Sequence, residues 1–152
     1  MFHSDSPDAT REWATQFALS LEKPVIVALY GDLGAGKTVI AQAIAAALGV
    51  TATVTSPTFT LINEYDLPGG SILFHVDCYR LQDPEPEAVA LGLEELFDLG
   101  IVLIEWADRI ASLLPNERVD VELQDAGPGN RRITMTDLRP PGDRKYVAPT
   151  NL

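Results

Sequence analysis

The sequence predicts an α/β fold: a mixed, mostly parallel sheet flanked by helices, with a C-terminal antiparallel hairpin. Three observations carry this. An apolar run, Val25–Tyr30, leads through a glycine-rich loop into an Ala-rich segment free of Gly and Pro. A second apolar run, Ile101–Ile104, has the four-residue, β-branched character of a strand buried on both faces. Two polar-alternating stretches then flank Gly127-Pro128-Gly129-Asn130, a turn sequence. With 152 residues and 46% hydrophobic content, the chain is long enough for one well-filled core and too apolar for general disorder. We read residues 1–139 as a single domain and 140–152, which open Pro-Pro-Gly-Asp-Arg-Lys, as a loose tail.

Taken in order, Ser6-Pro7-Asp8 is a helix start, with Ser6 as N-cap and Pro7 at the first position. Trp13, Phe17, Ala18 and Leu21 then share one face of a helix over 7–21 that packs onto the sheet. Val25–Tyr30 is a strand, and 39–48 a helix ended by Gly49. Residues 51–58 are rich in hydroxyls and contain Pro57, so they read as a functional loop. Strands are expected over 59–66 and 71–76, joined by a turn at Leu67-Pro68-Gly69-Gly70. An acidic helical stretch over 83–91 is broken by Gly92 before a further turn of helix over 94–97. After the strand at 101–104 comes a short helix through Leu114, then a hairpin of 118–124 with 132–138.

The loop between the first strand and helix reads Gly31-Asp32-Leu33-Gly34-Ala35-Gly36-Lys37-Thr38, which satisfies G-x-x-x-x-G-K-[ST], the Walker A phosphate-binding loop. Its strand–loop–helix setting makes the fold P-loop NTPase-like. The glycines let backbone N–H groups curl around a β-phosphate, and the helix N-terminus adds the positive end of its dipole. Lys37 reaches the β- and γ-phosphates, and the Thr38 hydroxyl ligates Mg²⁺. Such a loop needs an acidic partner at the end of a neighbouring strand. Two positions qualify: Glu105, after Ile101–Ile104, and Asp77, after Ile72–Val76. Ile101, Leu103 and Glu105 share a strand face, as do Leu73, His75 and Asp77. Two carboxylates beside one triphosphate divide the labour, one helping to hold Mg²⁺ and the other orienting or deprotonating water. His75 has a structural or partner-contact role, since Mg²⁺ prefers oxygen. Cys78 points away from His75 and Asp77, which argues against a Cys–His nucleophile pair.

The net charge is −11, from 22 acidic and 11 basic residues, and between Thr38 and Asp108 the only Lys or Arg is Arg80. Such a surface repels a phosphate backbone, so autonomous nucleic-acid binding is not expected. No apolar run approaches the length of a membrane span, the acidic start lacks the basic character of a signal peptide, and one cysteine suits a reducing compartment. The expected location is the cytoplasm.

Several segments together carry a resemblance. They are Gly31–Thr38, Thr55-Ser56-Pro57-Thr58-Phe59, Tyr65, His75-Val76-Asp77-Cys78-Tyr79-Arg80-Leu81 and Glu105-Trp106. In order and spacing, over residues 6–135, the chain resembles the TsaE (YjeE) family, small bacterial ATPases of tRNA threonylcarbamoyladenosine synthesis. The resemblance implies an ATPase, slow alone, that acts with the TsaD and TsaB proteins by an ATP-driven switch in modification of tRNA position 37, meeting tRNA only through that complex. By motif, Thr38 and Glu105 match Mg²⁺ ligands, Lys37 the phosphate lysine and Asp77 the second essential acid, counted with them among the metal-site residues. Thr55-Ser56-Pro57-Thr58 matches a switch-like loop beside the γ-phosphate. Arg131 or Arg132 matches an arginine near the nucleotide, and the segment from Ser6 to Thr10 one near the adenine. Two other readings stand beside this one. A small-molecule P-loop kinase would want an arginine-rich lid, and a nucleotide-gated scaffold would bind ATP with incidental turnover.

Overall fold

The computed structural model describes residues 1–143 apart from Lys23, Leu33, Ser56 and Thr58–Thr60. Its centre is the strand β2 (Val25–Tyr30), buried along nearly its whole length. Both neighbours of β2 run parallel to it, β5 (Ile101–Glu105) on one side and β6 (Val119–Asp125) on the other. β4 (Ile72–Asp77) adds a fourth parallel strand beyond β5. Antiparallel strands finish each side: β3 (Ile62–Asp66) on β4, and β7 (Arg131–Asp137) followed by β1 (Phe2–Ser4) on β6. The order is β1-β7-β6-β2-β5-β4-β3. The fold is therefore α/β, with a parallel core, antiparallel flanks and the C-terminal hairpin expected from sequence.

Two helices cover one face. α1 (Pro7–Ala18) starts at Ser6, whose hydroxyl accepts the Ala9 N–H at 3.1 Å. It lays Trp13 and Phe17 inward, their rings stacked with centroids 5.3 Å apart. Burying two such aromatic side chains stabilises the fold by about 1.5–3 kcal/mol each. α2 (Lys37–Ala47) contributes Ile40, Ala41, Ile44 and Ala45 to the same core, against Val27, Leu29, Leu103 and Val121. The opposite face is covered over β2, β5 and β4 by α3 (Pro84–Ala90), α4 (Leu93–Leu96) and a 3₁₀ helix, Ala107–Leu113. Among the described residues no helix is long and apolar enough to cross a membrane.

Three details differ from the sequence reading. β1 was not expected; it exists because β7 leaves an open ladder that three residues can fill. The first helix stops at Ala18 rather than 21, and Ser20 and Leu21 close as tight turns onto Phe17 and Ala18, which keeps Leu21 in the core. The short helix expected through Leu114 is of the 3₁₀ kind and ends at Leu113. Residues 59 and 60 of the expected 59–66 strand, and all of the tail beyond Asp143, lie outside the described residues.

Gly100 sits where β5 enters beside β4. A methyl group there would overlap the carbonyl of Ile72, backbone that cannot step aside cheaply. Gly100→Ala is expected to destabilise the protein by about 1–3 kcal/mol, measured as a lowered urea midpoint. Gly142→Ala, where an added Cβ meets open space, should leave the midpoint unchanged.

Candidate nucleotide and metal site

The glycine-rich loop leaves β2 pressed against β6. Gly31 adopts φ +147°, and a Cβ there would lie 2.7 Å from the Leu123 carbonyl oxygen. Gly36, at φ +105°, turns the chain into α2, so the first N–H groups of the helix face the loop. The Lys37 side chain folds back beneath this loop. Its Nζ donates to the carbonyls of Gly31 and, at 2.9 Å, of Asp32, and lies 4.0 Å from the centre of the Trp106 ring. Lys37 is only 4% exposed, and burial lowers its pKa despite the opposing charges of Glu105, Asp32 and Asp77. Ala35 is buried, and its N–H closes a turn onto the Asp32 carbonyl at 3.0 Å. Leu33 lies outside the described residues.

The strand registers bring the two acids together. Asp77 of β4 and Leu29 of β2 both pair with Glu105 of β5, so the end of β2 and both carboxylates lie along one edge of the sheet. Glu105 is 2% exposed and held by two donors. Thr38 Oγ1 donates to its Oε1 at 3.0 Å, and His75 Nε2 lies 2.5 Å from its Oε2. Asp77 is half-buried; its Oδ1 accepts the Tyr79 N–H at 2.9 Å, and burial raises its pKa. Cys78 faces the opposite core, where burial pushes its thiol up to about 12, far from a reactive thiolate.

Lys37, Thr38, Asp77, Tyr79, Glu105 and Trp106 line a cavity of about 370 Å³ that opens beside Gly34 and Gly36. Trp106 enters it through a left-handed backbone, φ +57° and ψ +42°, unusual for a bulky residue. This turn ends β5 directly after Glu105 and lays the indole over Lys37 and against Tyr79, with ring centroids 4.9 Å apart. The protein donors facing the cavity are a hydroxyl and two carboxylates, the hard oxygen set that Mg²⁺ takes together with phosphate oxygens and water. Among the described residues, no group of three or more His, Cys, Asp or Glu is arranged to hold a metal by itself.

A second cavity, about 150 Å³, lies across the loop and shares Gly34, Gly36 and Val39 with the first. Ser6, Thr10 and Arg131 line it, which gathers residues far apart in sequence. Thr10 is tied to Ser4 by a 2.6 Å hydroxyl contact, and Ser6 caps α1, so both also hold the N-terminal segment in place. Arg131 donates to the loop carbonyls of Ala35 at 3.2 Å and Gly34 at 3.3 Å. Arg132, one residue on, lies on the other face of β7 and donates to Gln124 at 3.3 Å. Of the two arginines, Arg131 is therefore the one brought to the loop.

Of the switch-like segment, Pro57 is buried and Thr55 exposed, while Ser56 and Thr58 lie outside the described residues. Two side chains not singled out from sequence tether the chain at its start. Gln42 of α2 donates to the Val54 carbonyl at 2.9 Å, and Asn63 of β3 to that of Thr55 at 3.3 Å. Tyr79 and the His75–Glu105 bond were also not anticipated. Period-two spacing put His75 on the face of Asp77, but nothing local indicates the acid on β5 that it meets.

With this geometry in hand, comparison with known proteins gives one answer. A family model described as "Threonylcarbamoyl adenosine biosynthesis protein TsaE" matches residues 4–133. The chain is 42% identical over 132 residues to the tRNA threonylcarbamoyladenosine biosynthesis protein TsaE of Bacillus subtilis (strain 168), covering 86% of this chain and 81% of that one. It is 39% identical over 133 residues to the protein of the same name from Treponema pallidum (strain Nichols), at 87% and 96% coverage. A crystal structure of Bacillus subtilis YdiB superposes with a TM-score of 0.74 and 37% identity, over 90% of this chain and 84% of that one.

Burial at Asp77 yields a pH-dependent outcome. Its folded pKa stands above the ordinary 3.8, so below that pH folded and unfolded chains both hold the proton. As pH climbs through the raised value, the native carboxylate ionises at a cost that the unfolded chain does not bear. Asp77→Asn keeps an acceptor for Tyr79 N–H and removes this cost. In metal-free, nucleotide-free protein, the variant should melt above wild type at pH 7, and the gap should close as pH falls toward 3.8. Asp98→Asn, at an exposed position, controls for the change in net charge.

Proposed function

The chain belongs to the TsaE family, and we propose that it acts in tRNA threonylcarbamoyladenosine biosynthesis as an ATP-binding and ATP-hydrolysing subunit. The observation that carries the nucleotide reading is the Thr38–Glu105 hydrogen bond in the same cavity as the Lys37 ammonium. It joins the first helical turn after the loop to the end of a neighbouring strand, which is where a P-loop protein holds the metal of its nucleotide.

On this reading the N–H groups of Gly31–Thr38 and Lys37 bind the β- and γ-phosphates, and Lys37 exchanges its two carbonyl partners for phosphate oxygens. Ser6, Thr10 and Arg131 wall the pocket for the nucleoside. Thr38 and Glu105, with Asp77, would hold Mg²⁺, which when bound would supply positive charge to offset that of the phosphoryl oxygens. Asp77, whose partial burial raises its pKa, would orient the attacking water and take its proton. The loop over Thr55–Thr58 is the switch, ordered by the γ-phosphate and released on hydrolysis. The ATPase domain is residues 1–139, cytoplasmic, with 140–152 as an appended tail. TsaD and TsaB are its partners, and tRNA is met only through them. A kinase reading has less support, because among the described residues no arginine lines the cavity beside Lys37.

The function is tested by gel filtration of the purified chain with TsaD and TsaB from the same organism. ATP should bring the three into one peak, and ADP should not. Association that ignores the nucleotide, or its absence in ATP, would sink the switch. Lys37→Ala should weaken ATP binding by about 1.5–3 kcal/mol, roughly 10- to 150-fold in Kd. Thr38→Ala and Glu105→Ala should act mainly through Mg²⁺, visible as a loss of metal dependence in the same titration.

The 4.0 Å contact between Lys37 and the Trp106 ring makes that indole a reporter of the lysine. In a Trp13→Phe background, a non-hydrolysable ATP analogue and ADP are expected to give different Trp106 emission at saturation. Identical spectra would mean that the γ-phosphate leaves Lys37 and Trp106 as they are.

A further inference from the structure

His75 is fully buried on β4, between Asn63 of β3 and Leu103 of β5 in the strand registers. Only one of its ring nitrogens is used. Nε2 meets Glu105 Oε2 at 2.5 Å, while Nδ1 is buried and has no hydrogen-bond partner among the described residues. A carboxylate oxygen only accepts, so Nε2 carries the proton, and Nδ1 is then a bare acceptor rather than a stranded donor. An apolar side chain of similar volume would fill this space without desolvating two nitrogens. It could not hold Glu105.

The Glu105 carboxylate is fixed from both sides, by the Thr38 hydroxyl on Oε1 and by His75 on Oε2. Two donors on the two oxygens set the plane of the carboxylate, whose terminal torsion is otherwise broad. The bond from Thr38 also commits its hydroxyl proton to Glu105, so that both oxygens are held side by side. Remove the His75 donor and Oε2 is left buried without a partner, free to turn and take Oε1 from Thr38. We infer that His75 is a positioning residue for the divalent cation: its Nε2–H locks Glu105, so that Thr38 and Glu105 form a preset oxygen pair. The inference rests on the reading of this site as one for Mg²⁺–nucleotide.

The test is the affinity for a non-hydrolysable ATP analogue in Mg²⁺ and in EDTA, with the ratio of the two as readout. His75→Leu and His75→Asn should lower the ratio by about 10- to 100-fold, the usual effect of losing a partner behind a metal ligand, with affinity in EDTA unchanged. His75→Gln should keep the ratio, because its amide nitrogen reaches the place of Nε2, whereas that of Asn stands where Nδ1 was. In a Glu105→Gln background, His75→Leu should have no further effect on the ratio. A role in packing alone predicts instead that both affinities fall together with melting temperature. The inference is overturned if His75→Leu keeps the ratio, or if His75→Gln behaves like His75→Asn. Should His75→Leu fail to fold, the two amide variants decide between these outcomes. A wild-type ratio of one would overturn the Mg²⁺ reading and this inference together; a large wild-type ratio that His75 does not influence would overturn this inference alone.

Discussion

The register of three parallel strands is the constraint on which the site depends. Leu29 and Asp77 both pair with Glu105, and that pairing places the exit of β2, which leads into the glycine-rich loop, beside both acids. A slip of one residue in β5 would turn Glu105 to the opposite face, among Val102 and Ile104, and bring an apolar side chain to Thr38. Burial makes such a slip costly. Leu103 and Ile101 belong to the core under α1 and α2, and Val102 and Ile104 to the core under α3 and the 3₁₀ helix. Each residue of β5 is thus fixed by a core of its own, and the carboxylate at its end inherits that precision. The hydrogen bond from Thr38 to Glu105 then joins α2 to β5 directly.

On the proposed reading, the charges suit a pair of ligands rather than one. The chain is strongly acidic, and two of its carboxylates line a cavity with Gly34 and Gly36 of the glycine-rich loop. In the described protein Lys37 is satisfied internally by two carbonyls and an aromatic face. Arg131 is spent on the loop carbonyls of Gly34 and Ala35. A polyphosphate alone would meet Asp77 and Glu105 with little to offset them. A cation alone would find two carboxylates and a hydroxyl, an incomplete shell. Brought together, each supplies what the other lacks, and the desolvation of Glu105 and Lys37 strengthens both interactions in the low-dielectric interior.

Much of this was legible in the sequence, for reasons that are local. The loop from Gly31 to Thr38 carries its chemistry in eight consecutive residues, and Glu105 and Asp77 announce themselves as acids at the ends of apolar runs. What escaped depended on pairings between distant segments. Arg131 and Arg132 are neighbours, and period two allows either to face the loop; only the register of β7 on β6 decides for Arg131. β1 has no pattern of its own in three residues and owes its existence to the edge of β7. The 3₁₀ helix follows from the left-handed turn at Trp106, a conformation that propensity argues against and that packing on Lys37 and Tyr79 supports. The tethers from Gln42 and Asn63, like the bond from His75, are side-chain meetings that no spacing rule encodes.

The two outer strands have a bearing on the life of this protein in a crowded cell. A sheet whose margins are open is a template on which another chain can add a strand, and long, flat, apolar margins invite fibres. Here one margin is β1, only three residues long, and the other is β3, five residues that include the exposed acids Glu64 and Asp66. Any strand that docked on β3 would bring its own backbone up against those charges, and one that docked on β1 would run out of partners after three residues. The parallel core is thereby bordered by outer strands that are short or charged, features that disfavour pairing with copies of the chain and leave the centre of the sheet free to be apolar.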